Sequence, residues 1–274
     1  MPGILPHLLC AAAYACIAML LLRTLATASR DPAHPPQMLR TLHLLTAAPL
    51  ALHAWLLHAS VFADDGVYLG VGVSVSVIIW LAALIYWIGG FFYRLEGLQV
   101  FVLGYAAVLV LLPLALPSVK PLTHTDLPAF RVHLVIALTA FSLFTIASLQ
   151  ALMMALLERR LRQGPLPVFL QSLPPLLTME RLLFRIVAVG FVLLTLTLAS
   201  GMLFSEELFG KPLRFTHKVV FAVAAWFIFA ALLAGRWIYG WRGRVALRWT
   251  LAGFLSLVLA YIGTKFVIEI LLHR

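Results

Sequence analysis

Residues 182–204 read LLFRIVAVGFVLLTLTLASGMLF, an uninterrupted apolar run in which Arg185 is the one charged side chain. A helix of about 20 mostly apolar residues is long enough to cross the hydrocarbon core of a bilayer. The strands of membrane β-barrels alternate in polarity over about ten residues and contain no apolar run of this length. The stretch therefore predicts a transmembrane α-helix.

Seven other stretches of the chain have the same character, and the connecting segments are too small to form a separate domain. The sequence thus predicts an all-α, polytopic membrane protein, with residues 1–274 forming a single transmembrane domain. The first run is not preceded by Lys or Arg and is longer than a signal-peptide core, so it is predicted to be a retained span. The eight predicted spans are 4–25, 41–62, 68–89, 97–116, 130–157, 182–204, 217–237 and 247–271.

The composition excludes the soluble classes of protein. Of the 274 residues, 63% are hydrophobic and 11% are charged, with a mean hydropathy of +1.04, whereas a soluble domain carries about 25% charged residues. Disordered chains are poor in apolar residues, so disorder is excluded as well. The net charge of +10 does not indicate nucleic-acid binding, because the basic residues lie mainly between the apolar runs, where they contact lipid headgroups and set topology.

The distribution of basic residues predicts the orientation. The loops after spans one, three, five and seven, together with the span ends beside them, carry thirteen arginines. The other loops with their adjoining span ends, and the C-terminus, carry six Lys or Arg. Because positively charged loops stay in the cytoplasm, both termini are predicted to lie on the periplasmic side of a bacterial inner membrane.

Common catalytic motifs are missing from the sequence. Cys10 and Cys16 are six residues apart, which matches neither a redox pair nor a covalent haem-attachment site. Zinc-protease, nucleotide-binding and serine-hydrolase motifs do not occur. We therefore expect a protein that is not an enzyme.

Nine histidines in so apolar a chain are the most informative feature, because ionisable groups at membrane depth usually face the bundle interior and bind something. His133 is one turn inside the outer end of span five, and His217 opens span seven from the same side. A neutral imidazole at this position is a natural axial ligand for haem iron. The alternative is that each is an interfacial histidine that caps a helix or contacts headgroups.

Span two contains His53, near mid-membrane, and His58, nearer its outer end. Five residues at about 100° each separate them by about 140° around the helix, so both cannot point at one ligand. His53 is either a ligand or, as the alternative, a histidine hydrogen-bonded to the backbone of a neighbouring helix. The remaining histidines lie near span ends or in loops and are predicted to be solvated: His7, His34, His43, His124 and His273.

Three other features of the sequence each allow both a functional and a purely structural interpretation. Lys265 and Glu269 are spaced to pair along one helix face or to relay protons. Arg236, Arg242 and Arg244 either set topology or clamp a propionate or phosphate. Pro49 and Pro113 interrupt spans two and four, which is a weak indication of a transporter with broken helices.

The second half of the chain resembles the cytochrome c assembly protein family, and in particular its HemX-like subgroup of eight-span inner-membrane proteins. The resemblance is strongest over residues 133–269. The first half agrees in span number and in the context of His53, LALHAWLL. The segments that carry the resemblance are HLVIALTAFSLFTIASLQALMMALLERRLR, MERLLFRIVAVGFVLLTLTLASGMLF, THKVVFAVAAWFIFAALLAGRWIYGWRGR and LAYIGTKFVIEILL.

The resemblance implies non-covalent binding of haem b between transmembrane helices. It also implies a part in cytochrome c assembly, with other maturation proteins of the membrane as partners. In the family, two outer-face histidines flank a tryptophan-rich segment and ligate the haem iron. His133 matches the first of these histidines, His217 corresponds only by position, and His53 corresponds by context. The segment expected to be rich in tryptophan reads SGMLFSEELFGKPLRFTHK and contains none, so the resemblance implies haem binding without ligase or export activity.

The function predicted from the sequence is accordingly haem handling, or its regulation, during cytochrome c assembly. The cofactor-binding residues would be His133, His217 and His53, with His133 and His217 on the iron. The alternatives are a small-solute transporter or permease, and an accessory membrane subunit without a cofactor.

Overall fold

The computed structural model describes residues 3–28, 37–63, 66–93, 95–117, 121–122, 127–164, 166, 170, 173–209 and 217–263. Ten α-helices and one short antiparallel hairpin make up the regular structure of this part of the chain. The hairpin pairs β1 (Phe62–Ala63) with β2 (Gly66–Val67). The helices are α1 (Ile4–Ala28), α2 (Gln37–Leu45), α3 (Ala47–Val61), α4 (Val71–Gly89), α5 (Glu96–Leu109), α6 (Leu112–Ala115), α7 (Pro128–Leu161), α8 (Leu176–Phe209), α9 (His217–Tyr239) and α10 (Arg244–Val258), which continues into a π-helical turn, Leu259–Gly263.

Eight helical segments of the described chain are long and apolar enough to cross a membrane. The predicted all-α, eight-span architecture is confirmed, and the protein is a multi-pass membrane protein. α8 starts at Leu176, six residues before the predicted span, because a hydropathy argument detects only the apolar part of a helix. Lys265 and Glu269 lie outside the described residues. The side on which the termini lie stays a prediction.

Two of the eight spans are interrupted, and a proline follows two or three residues after each break. α2 and α3 together form the second span, Gln37–Val61, and α5 and α6 form the fourth. Pro49 and Pro113 have no N–H group, so the carbonyl of the residue four positions earlier loses its helical donor. The helix is broken at Thr46 in the first case and at Val110 and Leu111 in the second.

The contacts of the chain divide it into two compact units. The first comprises Met1–Pro121 and Leu156–Pro175, and the second comprises Leu122–Ala155 and Leu176–Arg274. The prediction of a single domain is not tested by this division and stays a prediction. Each unit is described separately.

In the first unit, α1 packs along α5, and α4 packs against α3, α5 and α6. Gly72 lies at a close approach of the α4 backbone to the backbone of α6 and of Leu116. A Cβ atom at this position would lie 2.7 Å from the carbonyl oxygen of Leu112 and 2.5 Å from that of Leu116. Only glycine fits here, because a rigid backbone oxygen cannot move aside as a flexible side chain can.

In the second unit, all four membrane-spanning helices meet at a pair of stacked aromatic rings. Phe144 of α7 and Phe229 of α9 are fully buried, with ring centroids 3.9 Å apart. A Cβ atom at Gly190 of α8 would lie 3.1 Å from Phe144, and one at Gly253 of α10 would lie 2.6 Å from Phe229. Small residues at such positions let helices approach closely in a membrane, where packing drives helix association.

An ion pair holds the turn between α9 and α10 against α8. Arg236 Nη1 donates to Glu180 Oε1 at 2.8 Å and to the carbonyl oxygen of Trp241 at 3.0 Å, while Gly243 N donates to Glu180 Oε2 at 3.2 Å. Arg236 also lies over the Phe184 ring, 4.6 Å from its centroid. Arg236 therefore stabilises the turn, and the role of clamping a ligand is not needed to explain it.

Candidate functional site

His133 lies on α7, five residues after the helix begins at Pro128, and its side chain is half-buried. The imidazole faces α8, where Nδ1 is 2.8 Å from the hydroxyl oxygen of Ser200. A Cβ atom at Gly201 would lie 3.6 Å from His133 Cε1, so the ring also lies beside the α8 backbone. Ser200 of α8 thus bonds the edge of the ring that contains Nδ1.

The Ser200 hydroxyl makes further contacts with its own helix. Its Oγ is 2.7 Å from the carbonyl oxygen of Leu196 and 3.1 Å from that of Thr197. A serine hydroxyl on a helix commonly bonds in this way to a carbonyl one turn earlier. His133 is therefore held by an oxygen that is itself fixed to the α8 backbone.

His217 is the first residue of α9, and its side chain is exposed. Because α9 follows α8 along the chain, His217 lies at the end of the second unit at which α8 finishes. This is the end that contains Ser200 and His133. Among the described residues, no hydrogen bond or ring contact joins the two imidazoles. Coordination of one iron atom by His133 and His217 stays a prediction.

His53 of α3 lies in the first unit and has no exposed surface. Its Nδ1 is 3.2 Å from the Tyr14 hydroxyl of α1, and its Nε2 is 2.9 Å from the Ser76 hydroxyl of α4. One ring nitrogen of a neutral imidazole donates and the other accepts, so both are satisfied by neighbouring helices. The partners are side-chain hydroxyls and not the helix backbone that the alternative named. Ligand binding by His53 stays a prediction. His58 is exposed, in agreement with the different directions expected for the two side chains.

Two histidines that were predicted to be solvated are buried. His7 and His43 expose 2% and 7% of their surface, so the prediction is wrong for both. His43 Nδ1 is 3.3 Å from Gln99 Oε1, and its ring meets that of Phe91 with centroids 4.6 Å apart. A position near the end of a span does not guarantee contact with water, because a neighbouring helix can cover it. His34, His124 and His273 lie outside the described residues.

In the part of the chain that the structure describes, no three His, Cys, Asp or Glu side chains come together as a metal site. The interactions of His133 and Glu180 could not be found from the sequence, because their partners are 67 and 56 residues away. The one indication in the sequence of a partner for His133 is the presence of hydroxyl residues on a neighbouring apolar helix. Several such residues occur on α8, so the sequence does not identify which of them bonds to His133.

Comparison with known proteins links this architecture to one family. Residues 41–272 match the family model of the Cytochrome C assembly protein. The chain is 35% identical over 181 residues to the inner membrane protein YpjD of Escherichia coli, an alignment that covers 65% of this chain and 67% of that protein. It is also 32% identical over 92 residues to the cytochrome c biogenesis protein CcsA of Gloeobacter violaceus, covering 34% of this chain and 27% of that protein.

Proposed function

The chain belongs to the cytochrome c assembly protein family, and from this premise we propose that it binds haem b non-covalently in the bacterial inner membrane. The proposed role is haem handling, or its regulation, during cytochrome c assembly. His133 would be the residue that holds the haem through its iron. The proposal includes no chemical step by the chain and no covalent bond to haem.

The observation that carries the proposal is the arrangement of His133. One nitrogen of its ring is anchored to α8, and Ser200 is its one hydrogen-bond partner among the described residues. A histidine that binds a metal usually donates its other ring nitrogen to a fixed acceptor, which orients the ring. The surroundings of His133 at this end of the second unit are therefore those expected of a histidine that binds iron.

The other two histidines support the proposal less strongly. His217 is exposed at the same end of the second unit and is our candidate for the second axial ligand. His53 already bonds with two hydroxyls, so its use as a ligand requires one of them to be displaced. Bound haem supplies a redox-active iron, and its stability in the site depends on the side chains around the ring.

The family relatives supply the biological context. CcsA is named as a cytochrome c biogenesis protein, and the alignment with it covers about a third of this chain. Residues 200–218 contain no tryptophan, so we propose that the chain retains or senses haem and does not deliver it.

The visible absorption spectrum of the purified full-length protein, with and without added haem, tests the proposal. We expect a Soret band that is lost or shifted in His133→Ala, with haem affinity lowered about tenfold or more, equivalent to about 1.4 kcal/mol. His58→Ala is the matched control, because His58 is an exposed histidine of the first unit and should leave the band unchanged. A colourless protein that does not take up haem would contradict haem binding and favour a transporter or an accessory subunit.

A second measurement tests the cellular role. Disruption of the gene should lower the amount of c-type cytochromes detected by their haem peroxidase activity. The wild-type chain should restore that amount, and His133→Ala should not. Restoration by His133→Ala would separate the role in assembly from binding at this histidine.

A further inference from the structure

We propose that Ser200 is a positioning residue that holds His133 in the tautomer protonated on Nδ1, so that Nε2 presents its lone pair. The expected effect of Ser200 on haem affinity rests on the proposed function, whereas the inference about the tautomer of His133 does not. The inference concerns the ground state of the ring before any ligand is bound.

The distances around Ser200 Oγ determine the direction of each hydrogen bond. The oxygen is 2.8 Å from His133 Nδ1, 2.7 Å from the carbonyl oxygen of Leu196 and 3.1 Å from that of Thr197. A hydroxyl has one hydrogen, and a carbonyl oxygen only accepts. A separation of 2.7 Å between two oxygens is typical of an O–H···O bond, and without a hydrogen between them the two oxygens would repel each other.

The serine proton is therefore used in the bond to the α8 backbone, and Ser200 Oγ meets the imidazole with a lone pair. Nδ1 must then carry the hydrogen and donate it to Oγ. A neutral imidazole has one N–H group, so Nε2 is left as the acceptor. In the opposite tautomer, lone pairs on Nδ1 and Oγ would face each other at 2.8 Å unless Ser200 gave up its backbone bond.

The ring also lies beside the next residue of α8. Cε1 of His133 lies beside Gly201, at the distance of an ordinary van der Waals contact for an added Cβ. Ser200 thus bonds Nδ1, and Nε2 is on the opposite side of Cε1 from that bond. An orienting partner of this kind typically accounts for a 10- to 100-fold difference in metal affinity.

Three variants separate the tautomer effect from the loss of a hydroxyl. Ser200→Ala removes the acceptor. Ser200→Thr keeps it, since Thr195 and Thr197 on the same helix also bond to carbonyls one turn earlier. Thr197→Ala is the matched control, because its side-chain hydroxyl bonds to Leu193 O and does not contact His133.

Nitrogen-15 NMR of histidine-labelled, haem-free full-length protein measures the tautomer directly, with His133 assigned by comparison with His133→Gln. We expect protonated Nδ1 and unprotonated Nε2 in the wild type, Ser200→Thr and Thr197→Ala, and a mixture or the opposite tautomer in Ser200→Ala. Protonated Nε2 in the wild type would overturn the proposal without the need for any Ser200 variant to fold. An unchanged tautomer in Ser200→Ala would overturn it as well.

Haem titration of the same proteins then tests the consequence. Ser200→Ala should bind haem about tenfold more weakly, while Ser200→Thr and Thr197→Ala should match the wild type. A wild-type chain that has the expected tautomer but binds no haem would contradict the proposed function and leave the role of Ser200 intact. Equal haem affinity in Ser200→Ala and the wild type would overturn the positioning role in ligand binding.

Discussion

His53 in the first unit and His133 in the second are both histidines on membrane-spanning helices, but their surroundings differ. His53 is completely buried between two hydroxyls, from Tyr14 and Ser76, so both nitrogens have partners within the protein. His133 is half-buried and bonds through one nitrogen to Ser200. At His53, hydrogen bonds to other side chains of the protein offset the free-energy cost of burying a polar ring. At His133, Nε2 has no hydrogen-bond partner among the described residues.

The largest expected effect comes from His53→Ala. The substitution leaves a cavity and removes the partner of two buried hydroxyls, so we expect a loss of about 3–5 kcal/mol in the free energy of unfolding. His133→Ala should cost about 1 kcal/mol, because one hydrogen bond of a half-buried side chain is lost. Unfolding in detergent, followed by tryptophan fluorescence, measures both. If His133→Ala were the more destabilising of the two, the distinction between a structural and a ligand-binding histidine would be contradicted.

Gly253→Ala should give the next largest effect. The helices of the second unit pack around stacked aromatic rings, whereas those of the first unit are joined by hydrogen bonds around His53. A Cβ atom at residue 253 would lie 2.6 Å from Phe229. Overpacking of this kind costs about 1–3 kcal/mol, and we expect a value near the upper limit in the same unfolding assay. Gly104→Ala is the control, since nothing lies within 4 Å of its Cβ position and alanine favours a helix. Equal stability of the two variants would show that the stacked rings have room to move.

Glu180→Gln should destabilise the second unit by about 2 kcal/mol, because it leaves Arg236 without its charged partner at a partly exposed site. Haem binding should not change, since Glu180 is twenty residues from Ser200 along α8, or about 30 Å. The exposed pair of Glu158 and Arg162 provides the control, and Arg162→Gln should have no measurable effect. A weaker Soret band in Glu180→Gln would indicate that the two ends of α8 are coupled.

The smallest expected effect is that of Ser76→Ala, which removes the partner of His53 Nε2. We expect a loss of about 1 kcal/mol in the free energy of unfolding and no additional haem band, because His53 stays enclosed. A new absorption band that disappears on the further change His53→Ala would contradict this. It would show that a free nitrogen alone is enough to make a haem ligand.

Much of the fold could be predicted from the sequence. The eight spans, the excluded soluble classes and the interruptions near Pro49 and Pro113 all follow from local runs of residues. The start of α8 was misplaced because its first six residues include Glu180 and Arg181, and a hydropathy argument detects only the apolar part of a helix. The burial of His7 and His43 was missed because burial depends on which helices pack over a given position.

The candidate site could be predicted only in part. The depth of His133 along its span indicated a possible iron ligand, and so did the resemblance to the family. Its anchor on Ser200 could not be identified, because α8 contains several hydroxyl residues and only helix packing selects one of them. The two hydroxyl partners of His53 are hidden from the sequence for the same reason.

The sequence by itself determined that this protein is a helical membrane protein of the cytochrome c assembly family. In lipid, each backbone N–H and C=O must be bonded within its own segment, so runs of about 20 apolar residues have little choice but to form helices. Only the tertiary structure decided which histidine nitrogens are satisfied inside the protein. That outcome depends on hydroxyl groups 23 to 67 residues away in the chain, which helix packing brings within hydrogen-bonding distance.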